Sequence, residues 1–251
     1  GLRNTPSLNY ASFTPNFKID STGKASGGFF RDGRSASLAD QAQQPFTNAF
    51  EMANLSADDV FKTLLTRPYL EQFKAVFTPA GIQDSANAMQ SIGRALAAFQ
   101  SEDPSFHTFD SKFDAYLAGK TNLTDAETRG LLLFNNPTKG NCNACHLSTA
   151  KGGTPALFTD FTNDNVGIPR NWSIAANQEG TTLPYVPKNG IALGDPNYSY
   201  YDLGLCGPLR TDFRVGGSTC GRFKVPTLRN IALTGPYFHN GVFQTLDQVV
   251  A

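Results

Sequence analysis

The five residues Cys142-Asn143-Ala144-Cys145-His146 restrict this chain more than any other stretch. Two thiols three positions apart, with a histidine directly after the second, form C-x-x-C-H, the attachment pattern of a c-type haem. Each element has a chemical reason. At the start of a helix the two sulfurs can form thioethers to the vinyl groups of one porphyrin edge, and the adjacent imidazole then turns under the ring as proximal ligand of the haem iron. Two other uses of the pattern fit less well. A thioredoxin-like redox pair wants a strand before the first cysteine, whereas here a helix and the turn Pro137-Thr138-Lys139-Gly140 precede it. A zinc site needs two more ligands at finger-like spacing, and Cys206 and Cys220 lie too far downstream.

Haem attached in this way is assembled on the outer side of the bacterial inner membrane, in an oxidising compartment. There, Cys206 and Cys220 are expected to form a disulfide rather than stay free. Closing a loop of about fifteen residues would contribute roughly 3 kcal/mol in the chain-entropy model.

The rest of the composition narrows the partners. Lys+Arg 21 against Asp+Glu 21 leaves a net charge of zero over 251 residues, so no broad basic field is available for nucleic acid or an anionic membrane. Apolar runs such as Leu131-Leu132-Leu133-Phe134 fall far short of the roughly 18 residues that span a bilayer. With 23 Gly, 15 Pro and 20 Phe, short helices joined by long irregular loops are expected, not a continuous sheet.

Helical signals begin after residue 55, the stretch before it reading as mostly loop with short helical turns. Ser56-Ala57-Asp58-Asp59 resembles a capping box, followed by Val60, Phe61, Leu64 and Leu65. A second helix is predicted from Ser85 to Phe99, with Met89, Ile92, Leu96 and Phe99 on one face. A third starts at the capping box Thr124-Asp125-Ala126-Glu127 and runs to Phe134. Residues 155–197 show no sustained period, and the best boundary lies near Gly119.

The run from Phe223-Lys224-Val225-Pro226-Thr227-Leu228-Arg229-Asn230 through Gly235-Pro236-Tyr237-Phe238-His239-Asn240-Gly241 resembles the bacterial dihaem cytochrome c peroxidase and MauG-type family. Arg31-Asp32-Gly33-Arg34 with Gln41, Pro45 and Glu51-Met52, and Phe158-Thr159-Asp160-Phe161 leading to Asn165-Val166-Gly167, resemble two further family segments. The likeness covers nearly the whole chain. It implies a mostly α protein of two cytochrome c-like domains with long irregular loops. Residues 1–118 would be the remnant of a first, peroxidatic domain, and 119–251 a second, electron-transferring haem domain. One haem c would sit on this chain, with a second expected in the complete protein. The first domain's own C-x-x-C-H would lie before Arg3, and the family's variable sixth ligand just past Ala251, so both ends look cut short.

The resemblance also assigns roles. Gln41 and Glu51 match the distal side of the peroxidatic haem, where a carboxylate moves a proton between peroxide oxygens; otherwise they are solvated or capping side chains. Arg229 and Lys224 are candidates for propionate contacts, against solvated surface charges. Asn4, Thr234 and Pro236 match calcium ligands, against ordinary turn residues. Arg31 stands where many relatives carry tryptophan. His239 is expected near a propionate or the domain interface rather than on iron, and His107 on the surface. The expected activity is reduction of hydrogen peroxide in the periplasm, with electrons from a small cytochrome c or cupredoxin, and the resemblance leaves room for a homodimer. The rivals are a non-enzymatic electron-transfer cytochrome subunit and MauG-type oxidation of a partner protein.

Overall fold

The computed structural model describes residues 2–178, 202–207, 209, 210, 212 and 219–251. It is helix-rich. The helices are α1 Leu38–Thr47, α2 Ala57–Leu65, α3 Leu70–Phe77, α4 Ser85–Glu102, α5 Lys112–Leu117, α6 Asp125–Asn135 and α7 Leu246–Val250. Strand is confined, among the described residues, to two short antiparallel pairs. β1 Lys18–Ile19 pairs with β2 Ala25–Ser26, and β3 Asn163–Asp164 pairs with β4 Phe223–Lys224. The part of the irregular 155–197 stretch beyond 178 lies outside the described residues.

The three helices expected from periodicity correspond to α2, α4 and α6. At α6 the capping box closes both ways: Thr124 accepts from the Glu127 amide, and Glu127 from the Thr124 amide. At α2 only half of it forms. Ser56 accepts from the Asp59 amide, but the shorter Asp59 carboxylate meets the Ser56 hydroxyl at 2.9 Å instead of its backbone. The first 55 residues are mostly loop as expected, and α1 is the exception, a ten-residue helix longer than the short turns anticipated there. Ser37 caps it, but its only buried apolar side chains are Leu38 and Ala42, and Pro45 stands inside it. So short an apolar stripe, interrupted by proline, gives little period to detect.

Helices α1, α2 and α4 form one part of the core through Leu38, Ala42, Val60, Leu64, Ala88 and Met89. Gly93 sets how closely α1 and α4 pack, since a Cβ there would stand 2.3 Å from the Ala39 carbonyl oxygen. Phe99 departs from the predicted buried face. It is 54% exposed and lies edge-on to Phe106.

The second part of the core knits the N-terminal loops to the C-terminal half. Amide-to-carbonyl bonds run from Asn4 to His239, Gly27 to Phe161, Lys224 to Arg31 and Val225 to Thr162, each 2.8 Å. Beneath them, fully buried Asp32 pairs with Arg3 at 2.7 Å and Arg34 at 3.0 Å, and Arg3 also pairs with Asp202 at 2.5 Å. Burial alone would push Asp32 upward, but Arg3 and Arg34 hold its carboxyl below the ordinary range. A disulfide joins Cys206 and Cys220, with Cα atoms 5.0 Å apart. Gly119, at φ +70°, follows α5, and Lys112 of α5 bonds Glu127 of α6 at 2.5 Å. His107 is half-buried and edge-on to Phe13, not a surface residue, because the chain folds back so that Tyr10 and Phe13 pack on Phe109.

Candidate haem-attachment site and adjoining cavity

Asn141, in the left-handed region at φ +48°, delivers the chain into a 3-10 turn over Cys142–Ala144, and the His146 amide bonds back to the Cys142 carbonyl at 2.8 Å. The expected helix start is therefore one turn only. The Asn143 side chain takes the Ser148 amide at 2.8 Å, which turns the chain away. Nδ1 of His146 donates to the Phe158 carbonyl at 2.8 Å. That bond fixes the tautomer, so the Nε2 lone pair is available as a ligand. Burial pushes the imidazole pKa down, which keeps it neutral and able to ligate.

Both thiols are free. Cys145 lies 3.7 Å from Asp164 Oδ2. Burial, then Asp164 and Asp160, push its pKa up, the reverse of the lowered thiol of a dithiol redox pair. Among the described residues no group of three or more His, Cys, Asp or Glu gathers to hold a metal ion, so a zinc centre finds no partners there. Helix α6 packs on the Cys142 turn and leaves Leu132 and Leu133 66% and 49% exposed. Two unpaired thiols, an oriented imidazole and uncovered leucines fit a covalently held, flat apolar group.

A cavity of about 890 Å³ opens elsewhere, between the N-terminal loops, α1 and the C-terminal segment. Gln41, Glu51, Lys224, Arg229 and Arg31 all line it. Lys224 donates to the Gly28 carbonyl at 2.6 Å and sits 5.5 Å from the Phe29 ring centre. Burial, reinforced by Arg31, pushes its pKa down to about 7. Arg31 donates to the carbonyls of Asn4 and Thr5, and burial followed by the nearby Arg3 lowers it to about 10. Since Asp32 and Asp202 are taken by Arg3 and Arg34, the wall carries excess positive charge and suits an anionic ligand.

The profile of the di-haem cytochrome c peroxidase family matches residues 1–122. The methylamine utilization protein MauG of Paracoccus denitrificans is 37% identical over all of this chain and 59% of its own length. Cytochrome c551 peroxidase of Nitrosomonas europaea is 32% identical over 88% of this chain and 52% of that protein. The crystal structure of the diheme peroxidase BthA from Burkholderia thailandensis superposes with a TM-score of 0.83 at 32% identity, over 100% of this chain and 57% of that one. The chain belongs to the di-haem cytochrome c peroxidase and MauG family, a family of oxidoreductases. It spans a little over half the length of these relatives.

Other residues singled out by likeness to the di-haem peroxidases take varied places. The Asn4 amide donates to the Pro236 carbonyl at 2.5 Å, and Thr234 is exposed on the same cavity wall. His239 stacks on Phe223 at 3.6 Å between ring centres, and burial lowers its pKa to about 4. Arg229 lines the cavity but is not a solvated surface charge. It is buried, with Nε on the Ala156 carbonyl at 2.7 Å and both terminal nitrogens on Asp114 at 2.9 and 2.7 Å. Asp114 was not singled out by sequence. It reads only as a helix-capping acid, and its partner lies 115 positions away. Arg31 stands in the Arg31-Asp32-Gly33-Arg34 segment and where many relatives carry tryptophan, and nothing local signals that it lines the cavity half-buried.

Proposed function

We propose that this chain is the haem-bearing part of a periplasmic enzyme that reduces hydrogen peroxide to water with electrons from a small cytochrome c or cupredoxin. The observation that carries the reading is the pairing of two free thiols with an imidazole whose Nδ1 is held by the Phe158 carbonyl. Cys142 and Cys145 would hold haem c through thioethers, and His146 would ligate its iron through Nε2. When bound, haem supplies the one-electron chemistry that no side chain offers. The division into cytochrome c-like units at 1–118 and 119–251 belongs to the same proposal, the cut falling between α5 and α6.

Around the cavity, Lys224 and Arg31 would pair with the carboxylates of a second haem, and Gln41 and Glu51 would stand over the reacting peroxide. Glu51 would take the proton from the inner oxygen and deliver it to the outer one, so that two electrons and two further protons leave two waters. Asn4, Pro236 and Thr234 would offer oxygen ligands to calcium once the Asn4 amide turns its oxygen inward. A second reading, MauG-type oxidation of a partner protein, draws on the higher identity to the Paracoccus protein.

Acid–acetone extraction should leave the colour on the polypeptide, and release of free haem would refute attachment. In stopped-flow assays with peroxide and a reduced small cytochrome, Glu51→Gln should lower kcat by roughly 10²–10⁴-fold at unchanged haem content. An unaffected variant would remove Glu51 from the mechanism.

A further inference from the structure

Nδ1 of the His146 imidazole is held by the Phe158 carbonyl at 2.8 Å, with the Pro226 backbone also against the ring, and the segment presenting Phe158 is not regular structure. Phe158 itself is left-handed at φ +53°, a conformation that bulky residues adopt only when the surroundings impose it. Phe158 packs on the Phe113 and Phe134 rings, and three side-chain hydrogen bonds tie its segment to one strap, residues 225–229. Thr159 Oγ1 donates to the Val225 carbonyl at 2.6 Å, Thr227 Oγ1 to the Leu157 carbonyl at 2.7 Å and Arg229 Nε to the Ala156 carbonyl at 2.7 Å. Three consecutive carbonyls, 156 to 158, are thus taken by Arg229, Thr227 and His146 in turn.

Arg229 is in turn fixed by Asp114. The pairing is bidentate and half-enclosed by rings, with the guanidinium 4.5 Å from the Phe109 ring centre and 6.0 Å from that of Phe158. Asp114 belongs to α5, where its carboxylate also closes the capping box with Ser111.

We propose that Asp114 and Arg229 are positioning residues for the haem ligand: they lock the 156–158 backbone so that the Phe158 carbonyl holds Nδ1–H of His146. A well-held Nδ1–H bond raises the electron donation of the imidazole, and loosening it weakens that donation and favours the reduced state. The inference rests on the haem reading above and assigns to these two residues a part that sequence likeness did not.

The test is the midpoint potential of the purified haem-loaded protein. Asp114→Asn keeps the shape but removes the charge that fixes Arg229, and Thr227→Val removes the neighbouring bond to the Leu157 carbonyl, together with the one Thr227 accepts from the Arg229 amide, without touching a charge. Each should shift the potential upward, by up to tenfold in the ratio of reduced to oxidised affinity, about 59 mV for one electron. Arg229→Lys should fall between Asp114→Asn and the parent. Val60→Ala, in the α1–α2–α4 core, serves as a control with comparable loss of melting temperature and an unchanged potential. An unmoved potential in Asp114→Asn, or an equal shift in Val60→Ala, would overturn the assignment. Absence of covalently held colour in the parent would instead overturn the haem reading.

Discussion

Lys224 offers the sharpest test of the charge excess at the cavity. In an unfolded chain its ammonium holds its proton to about pH 10.4, whereas burial lets the folded chain release it at about 7. Between those values the unfolded state binds more protons, so stability rises with pH across that window, and the full penalty applies below it. The linkage integral gives a penalty on the order of 4–5 kcal/mol at pH 6 and about 2 kcal/mol at pH 9. Replacing Lys224 by Met removes the penalty but leaves the Gly28 carbonyl without its donor, at about 1–3 kcal/mol. The variant should therefore be more stable than the parent by about 2–3 kcal/mol at pH 6 and nearly equal to it at pH 9.

Thermal melting followed by circular dichroism is sufficient to see this. At about 2–4 °C per kcal/mol for a chain of this size, the advantage of Lys224→Met should shrink by about 5–10 °C between pH 6 and pH 9. Parallel melting profiles for parent and variant across that range would refute the reasoning, because they would mean that Lys224 is charged throughout or already matched by an anion. The same variant should weaken binding of any carboxylate-bearing ligand to the cavity, so the stability gain and the functional loss have one origin.

Further outcomes follow from other contacts. Cys220→Ser should lower stability by about 2–4 kcal/mol, read from denaturation midpoints under non-reducing conditions, and should add nothing once the parent is reduced. Gly93→Ala should destabilise by about 1–3 kcal/mol, since its methyl meets the Ala39 carbonyl oxygen and α1 must move. Asp114, held down to about 2 chiefly by the Arg229 hydrogen bonds, contributes stability above its unfolded pKa that is lost as pH falls from about 4 toward 2. Acid unfolding of Asp114→Asn should accordingly be less steep than that of the parent over that range.

How far the sequence spoke depended on how local the determinant was. The C-x-x-C-H run is five adjacent residues, and its chemistry is legible without any fold. Helices α2, α4 and α6 announce themselves by caps and apolar spacing, which act within one or two turns. Helix α5 is six residues with no buried side chain, and α3 likewise buries none, so neither writes a burial period into the sequence. Gln41 and Glu51 were found by likeness, since nothing in their own neighbourhood marks them as cavity residues. The motif marks Arg229 but is silent on its acid partner, because Asp114 lies 115 positions upstream.

That distance dependence also explains why the cavity is built as it is. Four of its polar groups come from separated places: Arg31 in a loop, Gln41 on α1, Glu51 in the turn after it, and Lys224 on β4. No single element could hold four such groups around 890 Å³, so the geometry depends on what ties those places together. The ties are few and specific. Lys224 bonds by its amide to Arg31 and by its ammonium to Gly28, while Arg3 reaches both Asp32 and Asp202 beneath them. Because Arg3, Asp32 and Asp202 are buried ion pairs, removing one partner leaves an uncompensated charge, so breaking either of these pairs should cost more than the bond itself. A site assembled this way is stiff where an anion is to be gripped, and its loops between the ties can vary without moving it.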